Sequence, residues 1–143
     1  MTFPGNEQES AGRYMKTILV LDDNQSILDV LSANLCRYFK DCTITTALDG
    51  NRGADVLSSG SVDLILADLD MPVAKGYQFI EYAKKNHPAV PLCVMTGDCS
   101  PAAIEQLRST GVDAWIEKPF EFEKLAHLIS EKLNQGPEIA AEQ

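Results

Sequence analysis

Apolar and polar positions along the chain fall into two alternating patterns, short apolar runs and longer stretches with helical spacing. The apolar runs cover residues 17–21, 43–48, 62–67, 92–95 and 114–116. Four of them are continuous, which predicts strands covered on both faces of a parallel sheet. The second run, Thr43-Ile-Thr-Thr-Ala-Leu48, alternates more and is expected nearer a sheet edge. Between the runs, residues 25–39 place Ile27, Leu28, Leu31, Leu35 and Tyr38 on one helical face, with Asn24 or Asp23 as the cap. Similar stripes occur in 76–85 (Phe79, Ile80, Ala83), 101–109 (Ala103, Ile104, Leu107) and 121–133 (Leu125, Leu128, Ile129, Leu133), with a weaker helix at 50–59. Five strand–helix alternations predict an α/β fold, a doubly wound five-stranded parallel sheet with five flanking helices.

Composition narrows the class. With 143 residues, 45% of them hydrophobic, the chain is long enough for one core without disulfide staples. The expected organisation is a disordered leader at 1–14, one domain at 15–134 and a disordered tail at 135–143. Lysine and arginine number 12 against 21 acidic residues, a net charge of −9, and no basic run interrupts the excess. Direct binding to nucleic acid or to anionic lipid is therefore not expected. The apolar runs fall far short of the roughly 20 residues that span a bilayer, so no membrane association is expected either. Cys36, Cys42, Cys93 and Cys99 form no C-x-x-C pair and have no histidine at a zinc-ligand spacing, which fits reduced thiols and a cytoplasmic location. His87 and His127 read as solvated or partly packed, Cys93 as core, and Cys99 as a minor candidate for an exposed redox thiol.

In an open parallel sheet, ligands bind beyond the carboxyl ends of the strands, so the polar residues after each run are the candidates for chemistry. The first run ends in Asp22-Asp23, the third in Asp68, the fourth in Thr96-Gly97 and the fifth in Glu117-Lys118-Pro119. Three converging carboxylates repel one another unless a cation joins them, and an all-oxygen donor set suits magnesium better than zinc. Lys118 offers a point charge and Thr96 a hydroxyl for phosphate oxygens, with Asp68 as the nucleophile of a phosphoryl transfer. Taken singly, each residue has a bland role as a cap, a turn residue or a loop lysine; the ordered set on successive strand ends carries the reading.

Those residues resemble the receiver domains of two-component response regulators, particularly the single-domain chemotaxis-type regulators, over roughly residues 16–134. The acidic pair matches Asp22-Asp23, and the phosphoacceptor matches Asp68 in Val62-Asp-Leu-Ile-Leu-Ala-Asp68-Leu-Asp-Met-Pro72. The switch hydroxyl matches Thr96 in Val94-Met-Thr-Gly97, and Lys118-Pro119 matches the family's Lys-Pro. The resemblance implies a flavodoxin-like sheet of order 2-1-3-4-5 and transfer of a phosphoryl group to Asp68 from a sensor histidine kinase or a phosphotransfer protein. It implies Mg2+ held by Asp22, Asp23, Asp68 and the backbone carbonyl of Asp70, with Asp22 assisting through water. Thr96 would move inward on phosphorylation, Trp115 would change rotamer, and residues 101–133 would form the surface that engages a downstream effector. The Lys118-Pro119 bond would be cis. By this reading the protein is a signalling switch that catalyses its own phosphotransfer and dephosphorylation, rather than an enzyme acting on other substrates. Only about nine residues follow Asn134, so the expected output is in trans, although a receiver cut from a longer regulator has the same pattern.

Four departures from the commonest family pattern stand out. They are Asp70 two residues past the acceptor, Gly97 in place of the usual Ala, Val73 and Lys75 in the loop before the third helix, and Trp115 in place of Tyr or Phe. Two other readings compete. The sequence Asp68-Leu-Asp70 after an apolar strand suggests a haloacid-dehalogenase-type phosphohydrolase, but Pro72 interrupts that motif and it belongs on a first strand. A non-phosphorylated pseudo-receiver serving only as a docking module is disfavoured by retention of the whole polar set.

Overall fold

Along each central strand, successive side chains point to opposite faces, and both faces are covered. The computed structural model describes residues 16–71 and 75–134. The expected leader at 1–14, the expected tail at 135–143 and Val73 lie outside the described residues. Strands β1 (Lys16–Leu21), β2 (Cys42–Ala47), β3 (Leu64–Asp68), β4 (Leu92–Thr96) and β5 (Ala114–Glu117) alternate with helices α1 (Gln25–Tyr38), α2 (Gly50–Ser58), α3 (Lys75–Asn86), α4 (Pro101–Ser109) and α5 (Phe122–Leu133). All strand pairs are parallel, in the order β2-β1-β3-β4-β5. This is the flavodoxin-like topology.

Leu19, Leu21, Ile65, Ala67, Leu92 and Val94 face one layer, built by Leu57 of α2, Phe79, Ile80 and Ala83 of α3, and Leu107 of α4. The intervening residues Ile18, Val20, Leu64, Leu66, Cys93 and Met95 face the other layer, where Leu28, Leu31 and Leu35 of α1 meet Leu125 and Ile129 of α5. A hydrocarbon side chain fully buried in this way stabilises the fold by about 1.5–3 kcal/mol. On the first face, α2 and α3 approach closely at Gly53, where a methyl group would lie 2.8 Å from the Phe79 ring. The residue there must be small.

The edges differ from the centre, and the structure corrects three expectations there. β5 was expected to be covered on both faces; as an edge strand it has only half-buried residues and an exposed Glu117. In α1 the buried stripe is Leu28, Leu31 and Leu35, while Ile27 and Tyr38 are 41% and 54% exposed. Ile27 lies one residue, about 100°, from Leu28, and the Tyr38 ring packs edge-on against Phe39 and Phe122 near the surface. In α4 only Leu107 is buried, with Ala103 and Ile104 half-exposed beside the sheet edge. β2 is the other edge, as its alternation predicts.

Capping explains where the helices begin. Asn24, not Asp23, caps α1 by accepting from the Ile27 amide, Asp49 caps α2, and Ser100 caps α4 just before Pro101. No helix among the described residues is long and apolar enough to cross a membrane.

Candidate functional site

The parallel ladder continues beyond the strand ends and fixes the loops that carry polar groups. The Leu69 amide donates to the Met95 carbonyl at 2.9 Å, and the Lys118 amide to the Thr96 carbonyl at 2.8 Å. Asp22, Asp68, Thr96 and Lys118 thereby reach one rim from four different strands. The same strands that bury hydrocarbon deliver Asp22, Asp68 and Thr96, at 1%, 4% and 1% exposure, as the buried polar residues among those described.

One carboxylate oxygen from each of Asp22, Asp23 and Asp68 lies within 4.8 Å of the others. Asp22 Oδ1 accepts from the Asn24 amide at 2.9 Å, whereas its buried Oδ2 has no hydrogen-bond partner among the described residues. Burial pushes the Asp22 carboxyl up to about 6; the Asn24 amide pulls the other way, Asp68 and Asp23 add to the rise, and Lys118 opposes it. A buried acceptor without a donor, in a cluster of like charges, is the signature of a place that wants a cation. The residues present fit an oxygen-liganded divalent ion such as magnesium.

Lys118 Nζ lies 2.8 Å from Asp68 Oδ1 and 3.3 Å from Asp70 Oδ2. Partial burial works against the ammonium, but its hydrogen bonds to Asp68 and Asp70 and their charges outweigh burial and raise its pKa. Lys118 remains a cation across the physiological range. Asp68 Oδ1 also accepts from the Asp70 amide at 3.0 Å. The Lys118–Pro119 bond is cis, as the resemblance implied.

Thr96 ends β4 with its hydroxyl 3.5 Å from Asp70 Oδ1 and 3.4 Å from the Asp98 carbonyl, while the Asp98 amide donates to it at 3.1 Å. The Gly97 amide donates to Asp70 Oδ2 at 2.8 Å. Sequence reasoning did not find the Gly97 amide or the backbone of Asp98, because a main-chain donor or acceptor carries no residue-type signal. Trp115 is half-buried on β5, packed on the α2–α3–α4 side, with the Arg108 guanidinium 5.4 Å from its ring centroid. A shallow cleft of about 430 Å³ runs from Trp115 along His127 and Leu128 of α5.

The remaining candidates are quiet. All four cysteines are free thiols. Burial pushes Cys93 up to about 12, as befits a core residue. Cys99 is half-exposed, and its pKa is raised by burial and by the nearby charges of Glu117, Asp98 and Asp70. Its thiolate is disfavoured, which argues against the redox role considered above. His127 is exposed, and the His87 ring lies 5.8 Å from that of Tyr82.

The family model for the response regulator receiver domain matches residues 18–130. The chain is 28% identical over 119 residues to the DNA-binding transcriptional regulator NtrC of Klebsiella pneumoniae, covering 83% of this chain and 25% of that protein. It is 28% identical over 121 residues to the CAI-1 autoinducer sensor kinase/phosphatase CqsS of Vibrio cholerae, covering 82% of this chain and 17% of that protein. The chain thus spans about a quarter or less of the length of these curated relatives. Among solved structures, the chemotaxis response regulator CheY4 of Vibrio cholerae superposes with a TM-score of 0.74 at 26% identity, covering 82% of this chain and 98% of that one.

Proposed function

Because the chain belongs to the response regulator receiver domain family, we propose that Asp68 is its phosphoacceptor and that a sensor histidine kinase or phosphotransfer protein is the donor. The observation that carries this reading is the membership of Asp68 in a cation-seeking carboxylate cluster while the Lys118 ammonium lies 2.8 Å from it. Mg2+ would be held by Asp22, Asp23, Asp68 and the backbone carbonyl of Asp70, and when bound it supplies positive charge to the carboxylates and the phosphoryl oxygens.

An Asp68 carboxylate oxygen attacks the phosphorus as the bond to the donor's histidine nitrogen breaks. The electron pair leaves with that nitrogen, which takes a proton from water. Lys118 compensates the charge that the phosphoryl group adds, about one unit because the acyl phosphate's roughly −2 replaces the carboxylate's −1, and the Thr96 hydroxyl donates to one of its oxygens. Self-catalysed dephosphorylation at the same site completes the cycle. Recruitment of Thr96 biases Trp115 and the surface over residues 101–133, where a downstream effector docks. The receiver unit is residues 15–134, acting in the cytoplasm.

Neither a haloacid-dehalogenase-type phosphohydrolase nor a docking-only pseudo-receiver finds support in the family match, and Asp68 ends the third strand rather than the first. Incubation with magnesium and acetyl phosphate tests the assignment by intact mass. The parent is expected to gain one phosphoryl group and the Asp68→Asn variant none. No adduct on the parent, with no response to beryllofluoride, would overturn it, as would sustained turnover of a phosphate ester.

A further inference from the structure

Asp70 accounts for two of the departures from the family pattern at once. Its Oδ2 accepts from the Gly97 amide at 2.8 Å and lies 3.3 Å from Lys118 Nζ, while its Oδ1 is 3.5 Å from the Thr96 hydroxyl. Lys118 and Thr96 are the groups assigned above to the phosphoryl oxygens, the Gly97 amide follows Thr96 directly in the chain, and a carboxylate presents oxygens of like charge to all three. Gly97 leaves room for this approach, since a Cβ at that position would lie 3.2 Å from Asp70 Oδ2 and push the carboxylate back by a few tenths of an ångström. The Asp70 side chain is 41% exposed, so it can leave toward solvent without disturbing the core.

We propose that the Asp70 carboxylate is a built-in competitor of the phosphoryl group, occupying its Gly97, Lys118 and Thr96 donors until phosphorylation of Asp68 expels it. The inference rests on the receiver reading of Asp68 and extends it. Its consequence is a raised threshold: part of the interaction energy available to the incoming phosphoryl group goes into displacing Asp70.

The test uses the full chain, its Asp70→Ala variant and its Gly97→Ala variant. In metal-free protein, the Gly97 amide signal in a 15N–1H spectrum should move upfield in Asp70→Ala and exchange faster with water. With magnesium, Asp70→Ala should bind beryllofluoride at least tenfold more tightly than the parent, read by Trp115 fluorescence. Gly97→Ala keeps the charge of Asp70 but crowds its carboxylate, and should bind beryllofluoride severalfold more tightly. An unmoved Gly97 amide in Asp70→Ala overturns the proposal. So does a gain in Asp70→Ala with none in Gly97→Ala, because simple charge repulsion then explains the gain. A parent that binds beryllofluoride no more weakly than Asp70→Ala overturns this inference and leaves the receiver reading standing. A parent that neither binds beryllofluoride nor takes a phosphoryl group from acetyl phosphate overturns both.

Discussion

Within β3, four residues and a fifth follow opposite rules. Leu64, Ile65, Leu66 and Ala67 are buried against hydrocarbon on both faces, every one stabilising the fold. Asp68, next along the same strand, is equally buried but brings a charge within 4.8 Å of two others and leans on a single lysine. The strand interior is locally consistent with its surroundings; the rim is not. The rim persists because the interior holds it in place, so stability and chemistry are supplied by adjacent residues of one element.

That contrast predicts opposite signs for substitutions on either side of it. Leu66→Ala, which removes a fully buried side chain from the centre of the sheet, should destabilise the protein by about 2–5 kcal/mol in denaturant unfolding. Asp22→Asn should do the reverse in metal-free protein. It replaces a buried oxygen that lacks a donor by an amide that donates, for a gain of about 1–3 kcal/mol, and under the proposed magnesium binding the ion should stabilise the variant less than the parent. A destabilised Asp22→Asn would show that the rim is not strained.

Acidity gives the smallest and most specific effect. The Asp22 carboxyl titrates at about 6 in the folded chain against 3.8 as its ordinary value, so the folded state holds its proton more readily. Metal-free stability should therefore rise as pH falls, the gain beginning as pH passes down through about 6 and finishing near 3.8. Saturating magnesium requires the ionised form and should flatten or invert that slope. Unfolding curves at several pH values, with and without magnesium, check both.

How much of this was legible beforehand follows from which groups carry the information. Five apolar runs and their periodic spacers suffice for the strands and helices, and the alternation in 43–48 marks an edge. Asp22, Asp23, Asp68, Thr96 and Lys118 could be picked out because functional side chains follow apolar runs at the strand ends, and the structure brings them to one rim. Helix faces were less secure: Ile27 and Leu28 are equally apolar, and only the packing of α1 on α5 decides which one is buried.

The chain's own pattern of residue types determined its α/β class, its order of elements and its set of rim residues, since burial of apolar side chains is nearly additive along a sequence. Tertiary structure alone decided the rest. Which oxygen of Asp22 goes unpartnered, how the Asp70 carboxylate meets the Gly97 amide, and how Arg108 comes to lie against Trp115 depend on ångström-scale distances between segments far apart in the chain. Hydrogen bonds and charges fall off steeply with distance and direction, and main-chain groups look alike at every position, so those contacts exist only once the sheet has fixed its rim.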